Sequence, residues 1–286
     1  MTTTDLPVLL PLPERLARPG PAKGVFGLPA IELKAWHGAF LVVVFVAATG
    51  AAAAQTPPGH PSVFSALVKW TPLLLRGFGF NLLISVIAMA AGTAAGVFLG
   101  IAQISLKPPV RRVAWLVTNF FRNAPWLVLL FYCMFLLPFE VTLFGVTVHI
   151  PDWIKATFGL ALPVMANVSE IVRGAIQSIP TGQWESAASL AFTRRQTIWI
   201  IILPQCVKRM LPPWMNLYAI LTMDTVLASI VGVNEVMTLT GDALAAENRA
   251  DLLLPFYSYI LLWFFLYCYP IARWTVRLER RFTVGV

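Results

Sequence analysis

Three ionisable side chains, Arg122, Glu170 and Asp224, lie inside stretches of sequence otherwise apolar enough to cross a bilayer. At the bilayer centre each is costly unless it pairs with a counter-charge or faces a wet cavity. Two compatible roles follow. One is mutual neutralisation, Arg122 with Asp224, or Glu170 with Arg173 three residues on. The other is the lining of a polar pathway whose cargo carries both an amine and a carboxylate. Asn167 and Asn216 add uncharged hydrogen-bonding capacity in the same segments.

Bond-making chemistry finds little support. No GxxxxGK[ST] occurs, so ATP phosphates have no P-loop on this chain. HExxH, GxSxG and Cys/His clusters with metal spacing do not occur either. His37, His60 and His149 fall near membrane edges or in loops expected outside. Cys133, Cys206 and Cys268 are scattered, and an odd count gives no disulfide framework, so they read as buried structural thiols. The expectation is a transport protein with no enzymatic activity, no metal and no cofactor of its own.

The elements that must hold these groups are membrane helices. Hydrophobic residues make up 58% of the 286 and charged residues 12%, about half the charged share of soluble domains. Apolar runs recur at roughly 20 residues, the length of a spanning helix; a barrel would show alternating ten-residue segments. Residues 1–35 hold six prolines and read as a tail. Residues 36–54 read as a first transmembrane helix, or as a signal-peptide core with cleavage near Gln55; the long leader favours a retained helix. A proline-containing external loop covers 55–72. Further spans are expected at 73–106, 113–137, 155–176, 209–233 and 252–273, with a basic C-terminus at 276–286. This is an all-α integral membrane protein of about six transmembrane helices. Gly92, Gly96 and Gly100 form a doubled GxxxG, a signal for close helix packing and not for ligand binding.

Orientation follows from alternate loops. Sixteen of the 21 Lys and Arg fall on the side of both termini and the 173–209 connector, and four on the other, with Arg122 inside a span. By the positive-inside rule the basic side is cytoplasmic. The net charge of +8 therefore marks a membrane face and not nucleic-acid binding.

The connector from Glu170 to Pro204 is neither short nor disordered. With Gly182 as N-cap, Glu185 falls at the third helical position, where a carboxylate meets free backbone N–H groups. Small Ser186, Ala187 and Ala188 permit close approach by another chain. The helix is expected to end near Ala191-Phe192, and Thr193 with Gln196 reads as a second capping box.

That stretch resembles the EAA loop of ABC-transporter permease subunits, E-A-A-x3-G-x9-I-x-L-P: Glu185-Ser186-Ala187-Ala188 matches its start and Ile201-Ile202-Leu203-Pro204 its end. EIVRGAIQSIPTGQWESA, LPQCVKRMLPPWMN, DTVLASIVGVNE and FRNAPWLVLLFY are similar to motifs of the polar amino-acid uptake branch. The resemblance covers about residues 73–273. It implies a five-helix importer permease core over 73–275, preceded here by one N-terminal helix, with a coupling loop at 177–204. The implied function is amino-acid import across a bacterial inner membrane, through a path shared with a second permease subunit, identical or paralogous. The implied partners are an ABC ATPase dimer, which holds the ATP and Mg, and an extracytoplasmic amino-acid-binding protein. In such families the loop helix docks in a cleft of the ATPase; Trp184, Glu185, Ser186, Ala187, Ala188, Ala191, Arg194 and Arg195 would form that contact here. The alternative is an ion-coupled secondary amino-acid transporter using Glu170 and Asp224. Two residues depart from the pattern: Ala191 stands for the usual turn glycine, and Met223 for the usual Lys before the Asp.

Overall fold

Helix α1 (Val63–Gln103) is 41 residues long and is the strut on which the other helices pack. It starts ten residues earlier than expected because Ser62 caps it, its hydroxyl accepting from the Ser65 N–H at 3.2 Å. Pro72 is accommodated inside the helix. The computed structural model describes residues 61–143 and 145–283, together with 38, 40, 43, 45–47 and 50, which are helical. The chain divides into two units, 1–40 and 41–286, and every helix and strand from Val63 onward belongs to the second. The proline-rich tail and the choice between a retained first helix and a cleaved leader lie outside the described residues.

The span expected at 113–137 is two helices, α2 (Pro108–Asn123) and α3 (Trp126–Leu136). Ala124, with φ −75° and ψ 137°, leaves the helical region because the ring of Pro125 disfavours it there. A hairpin not anticipated from sequence follows, β1 (Glu140–Leu143) paired antiparallel with β2 (Val146–His149). Gly145, at φ +82°, serves its turn. Helix α4 (Asp152–Gln177) returns along α1.

The contact between α1 and α4 rests on the glycine stripe. A Cβ on Gly92, Gly96 or Gly100 would lie within 3 Å of Val164, Val168 or Val172 respectively, three valines at the same four-residue spacing. Absent side chains on one helix thus receive branched side chains from the other, the packing that membrane helices gain and lipid cannot replace. Beside it a buried polar knot joins three helices: Gln103 Nε2 donates to Thr118 Oγ1 (3.0 Å) and Ser169 Oγ (3.2 Å), and the two hydroxyls are 2.9 Å apart.

After α4 come α5 (Thr181–Ser189), a single turn α6 (Arg194–Gln196), a π-helical segment (Thr197–Ile202) and α7 (Leu203–Asp224). The last three, with the 3-10 segment Thr225–Val231, form one continuous 38-residue span, Arg194–Val231. The span expected at 209–233 therefore begins inside the connector. Helix α8 (Val236–Glu247), also unanticipated, and α9 (Leu253–Thr283) complete the unit. Among the described residues four helices are long and apolar enough to cross a membrane, and α3 is a shorter apolar helix. The main core lies where α1, α3, α4 and α7 meet, around Ile84, Leu130, Leu160, Val164 and Leu221. A second core joins the start of α1 to α8 and α9 through Leu74, Val236, Leu252 and Phe256.

Candidate functional site

Two places gather the residues singled out above. The first is the connector. Helix α5 starts two residues before the position expected, with Pro180 as N-cap, so Glu185 is the fifth helical residue and not the third. No acid lies in the first turn. Glu185 does not cap the helix; it projects from an exposed face with Ser186, Ala188 and Ser189. Ala187 is 1% exposed and faces the bundle, so its small size serves packing within this chain and not the approach of another. Trp184 is half-buried against the main core.

The helix ends in a Schellman motif. The Phe192 N–H reaches the Ala187 carbonyl at 3.1 Å and the Ala191 N–H the Ala188 carbonyl at 3.0 Å, with Ala191 left-handed at φ 56°. A Cβ in that region costs about 1–2 kcal/mol. Ala191→Gly should therefore tighten the turn, slowing hydrogen exchange of the Phe192 amide about fivefold, the equivalent of about 1 kcal/mol; unchanged exchange would show the turn to be unstrained.

The chain then re-enters a helix through a capping box, Thr193 N–H to Gln196 Oε1 at 2.9 Å and Gln196 N–H to Thr193 Oγ1 at 3.4 Å. Three further bonds tie the connector to the bundle. Arg194 Nη2 donates to the Ile104 carbonyl at the end of α1 (3.0 Å), and its guanidinium lies 5.7 Å from the Trp184 ring centre. Arg209 Nη1 donates to the Ser178 carbonyl (2.8 Å), and Gln205 Nε2 to Gln183 Oε1 (3.3 Å). Arg194 and Arg195 are both exposed, and Arg194 reaches back to the bundle through its guanidinium. A force applied to α5 reaches the ends of α1 and α4 through fixed contacts.

The second place is the pair of facing helices α4 and α7. Glu170 sits between two guanidiniums, Arg173 Nη2 at 2.7 Å and Arg122 Nη1 at 3.4 Å. The pairing of Arg122 with Asp224 does not form: the break at Ala124 ends α2 with Arg122 beside α4. Asp224 is half-buried and makes no hydrogen bond or ion pair among the described residues. Asn167 spends its amide on the Pro163 carbonyl (2.8 Å), and Asn216 is exposed on α7, about 12 Å along the helix from Asp224. An open cleft of about 430 Å³ runs between Glu170 and Gly174 on α4 and Arg209 and Pro213 on α7. Beside it Arg122 and Arg173 surround Glu170, so the cluster carries an excess positive charge, and the Asp224 carboxyl stands apart from it.

Sequence reasoning missed a third cluster. Glu235 is fully buried; its carboxylate accepts from Asn81 Nδ2 (2.7 Å) and from the N–H groups of Met237 (2.8 Å) and Thr238 (3.1 Å), capping α8. Asn81 also donates to Thr225 Oγ1 (3.0 Å) and accepts from the Val236 N–H (3.1 Å). One amide therefore joins α1, α8 and the residue after Asp224. An Asn in the apolar run of α1 was the available signal.

Residues 92–284 match the family described as Binding-protein-dependent transport system inner membrane component. The chain is 36% identical over 166 residues to the "Probable amino-acid ABC transporter permease protein YckA" of Bacillus subtilis, covering 58% of this chain and 71% of that one. It is 29% identical over 221 residues to the glutamine transport system permease protein GlnP of Escherichia coli, covering 77% and 98%. Among solved structures, an amino acid ABC transporter crystallised with histidines superposes with a TM-score of 0.64 at 27% identity, over 76% of this chain and 98% of that one. The MetNI methionine ABC transporter, at 18% identity and a TM-score of 0.59 over 74% and 97%, shares the fold.

Proposed function

The chain belongs to the family of binding-protein-dependent transport system inner membrane components, as a multi-pass permease of an ABC importer, and we propose that it carries amino acids, driven by a separate ATPase pair that grips α5. The observation that carries this reading is the build of the connector. A short helix with an exposed Glu185, Ser186, Ala188 and Ser189 is fastened to α1, α4 and α7 by Arg194, Arg209 and Gln205. Such a handle transmits displacement and does not absorb it. The sequence has no P-loop, so ATP and Mg are assigned to the partner ATPase. An extracytoplasmic binding protein would deliver the amino acid, and a second permease subunit would close the α4–α7 cleft into a path. The charge bias supports a cytoplasmic α5 and C-terminus.

The amino-acid substrate is supported by the names of the relatives and by the charged groups around Glu170 and at Asp224. Arg122 and Arg173 around Glu170 leave a cation for a carboxylate, and Asp224 offers an anion for an amine. Met223 beside Asp224 is exposed and uncharged, so no neighbouring cation on α7 competes for it. In proteoliposomes holding the permease, ATPase and binding protein, Glu185→Lys should cut ATP-dependent uptake at least about tenfold, as reversal of a charge at a docked interface does. Uptake that survives the substitution, or uptake by this chain alone on an ion gradient, would overturn the proposal.

A further inference from the structure

A cavity of about 770 Å³ lies far from both places above, at the end of the bundle opposite α5. It opens between α1, the junction of the hairpin with α4, and α8. Gly77 on its wall stands 27 residues, about 40 Å, along α1 from Ile104, where Arg194 holds the connector. Its size is that of a small-molecule pocket.

Its polar groups are arranged by the packing of α8 on α1. A Cβ on Gly77 would lie 2.8 Å from the Val236 Cα and 2.9 Å from Leu239 Cδ1, so the N-terminal turn of α8 rests on α1 at this glycine. At the other end of α8, Glu247 accepts from Lys69 Nζ (2.6 Å) and Trp70 Nε1 (2.8 Å). The two helices are therefore antiparallel, which sets Asp242 about one helical turn from Arg76 along the α1 axis. Both line the cavity, and neither makes a hydrogen bond or ion pair among the described residues. The other carboxylate on the wall, Asp152, is engaged by the buried Lys155 at 3.3 Å. The cavity thus presents one arginine and one carboxylate that are unpaired among the described residues, with His149 also on its wall. Arg76 and Asp242 are both exposed, so water and a solute reach them.

We propose that this cavity is an outer vestibule that takes the head group of a free α-amino acid, with Arg76 receiving the carboxylate and Asp242 the ammonium. The inference rests on the amino-acid reading above and adds a holding site at the mouth of the path, upstream of the Glu170 and Asp224 region. A zwitterion satisfies both charges at once, whereas a neutral solute leaves both unpaired. Discrimination here falls on the backbone of the amino acid and not on its side chain.

The test uses the purified permease–ATPase complex without binding protein, titrated with radiolabelled free amino acids and with the methyl ester and N-acetyl derivatives of whichever binds. Arg76→Gln should weaken binding of the zwitterion about tenfold, as loss of a charge-assisted contact does, and bind the methyl ester as the unaltered complex does. Asp242→Asn should show the same pattern with the N-acetyl derivative. Arg76→Lys, which keeps the cation, should recover most of the affinity and separates loss of charge from loss of fold. Zwitterion affinity unchanged in both variants, or a change confined to the affinity of the binding protein for the complex, would overturn the vestibule and leave the amino-acid reading standing. A complete importer that carries no amino acid would overturn that reading itself.

Discussion

Gly96→Val is expected to leave no monodisperse permease after detergent extraction, and Gly96→Ala to lower its thermal stability by about 3 kcal/mol or more. A Cβ at this position would lie 2.7 Å from the Met165 carbonyl oxygen and 2.7 Å from Val168 Cβ. The first obstacle is helix backbone, which cannot rotate aside, so α1 and α4 would have to separate. Separation would propagate along the stripe, because Gly92 and Gly100 meet Val164 and Val172 at equally short range. It would also pull on the Gln103–Thr118–Ser169 knot, where the Gln103 Oε1 is already buried without a hydrogen-bond partner among the described residues. Gly241 supplies the contrast: it lies within α8 with nothing within 4 Å of its would-be Cβ. Gly241→Ala should stabilise that helix slightly, by about 0.5–1 kcal/mol. Thermal melts monitored by loss of monodisperse protein compare the two, and a Gly96→Ala melt matching the unsubstituted chain would refute the packing argument.

The second large effect is expected at Glu235. Replacing it with Ala would leave one N–H of the Asn81 amide and the N–H groups of Met237 and Thr238 buried without an acceptor. Orphaned groups of this kind cost about 1–3 kcal/mol each, so about 3–5 kcal/mol in total is expected after partial relaxation. The loss is also positional. Asn81 would lose one of the two acceptors that fix its amide and be left to Thr225, which follows Asp224 at the end of α7, so uptake should fall even at temperatures where the variant stays folded. Glu235→Gln keeps an acceptor oxygen and should retain most of the stability.

Glu235 and its amide replacement should also differ in how stability responds to pH. Burial pushes the Glu235 carboxyl above the ordinary carboxylate range, while the Asn81 amide and the backbone N–H groups of Thr238, Met237 and Val236 pull it down; the rise prevails. A carboxyl raised in the folded state binds its proton there more readily than in the unfolded chain. Its contribution to stability therefore grows as pH falls through the folded value toward the unfolded one, and is lost as pH rises. Glu235→Gln should flatten that slope in melts between neutral pH and about pH 4.5, the region of an ordinary Glu. Parallel melting curves for the two proteins across that range would remove this account of the site.

How much was legible beforehand depends on whether a feature is local. The Thr193–Gln196 capping box and the glycine stripe involve residues three or four apart, and helical geometry makes them neighbours in any fold that forms the helix. The Glu170–Arg173 pair is readable for the same reason. Arg122 was not, because its partner depended on where α2 ends, and Pro125 turns the chain one residue after Ala124. Glu235 reads as a loop acid and Asn81 as an isolated polar residue, since 154 residues separate them and only the fold makes them one group. Arg76 and Asp242 are a similar case, joined by the seating of α8 on Gly77.

By itself, then, the sequence determined the membrane class, the helical architecture, the charge bias across it and a capped connector of the ABC-permease type. These follow from composition, from periodicity and from contacts within a turn or two. Tertiary structure alone decided which face of α5 is exposed, that Ala187 points inward and Arg194 reaches the end of α1, which arginine neutralises Glu170, and where unpaired charges share a cavity. The physical reason is one of range: hydrophobic length and capping act along the chain, whereas the partner of a buried charge is chosen by whichever helix packing brings within about 3 Å.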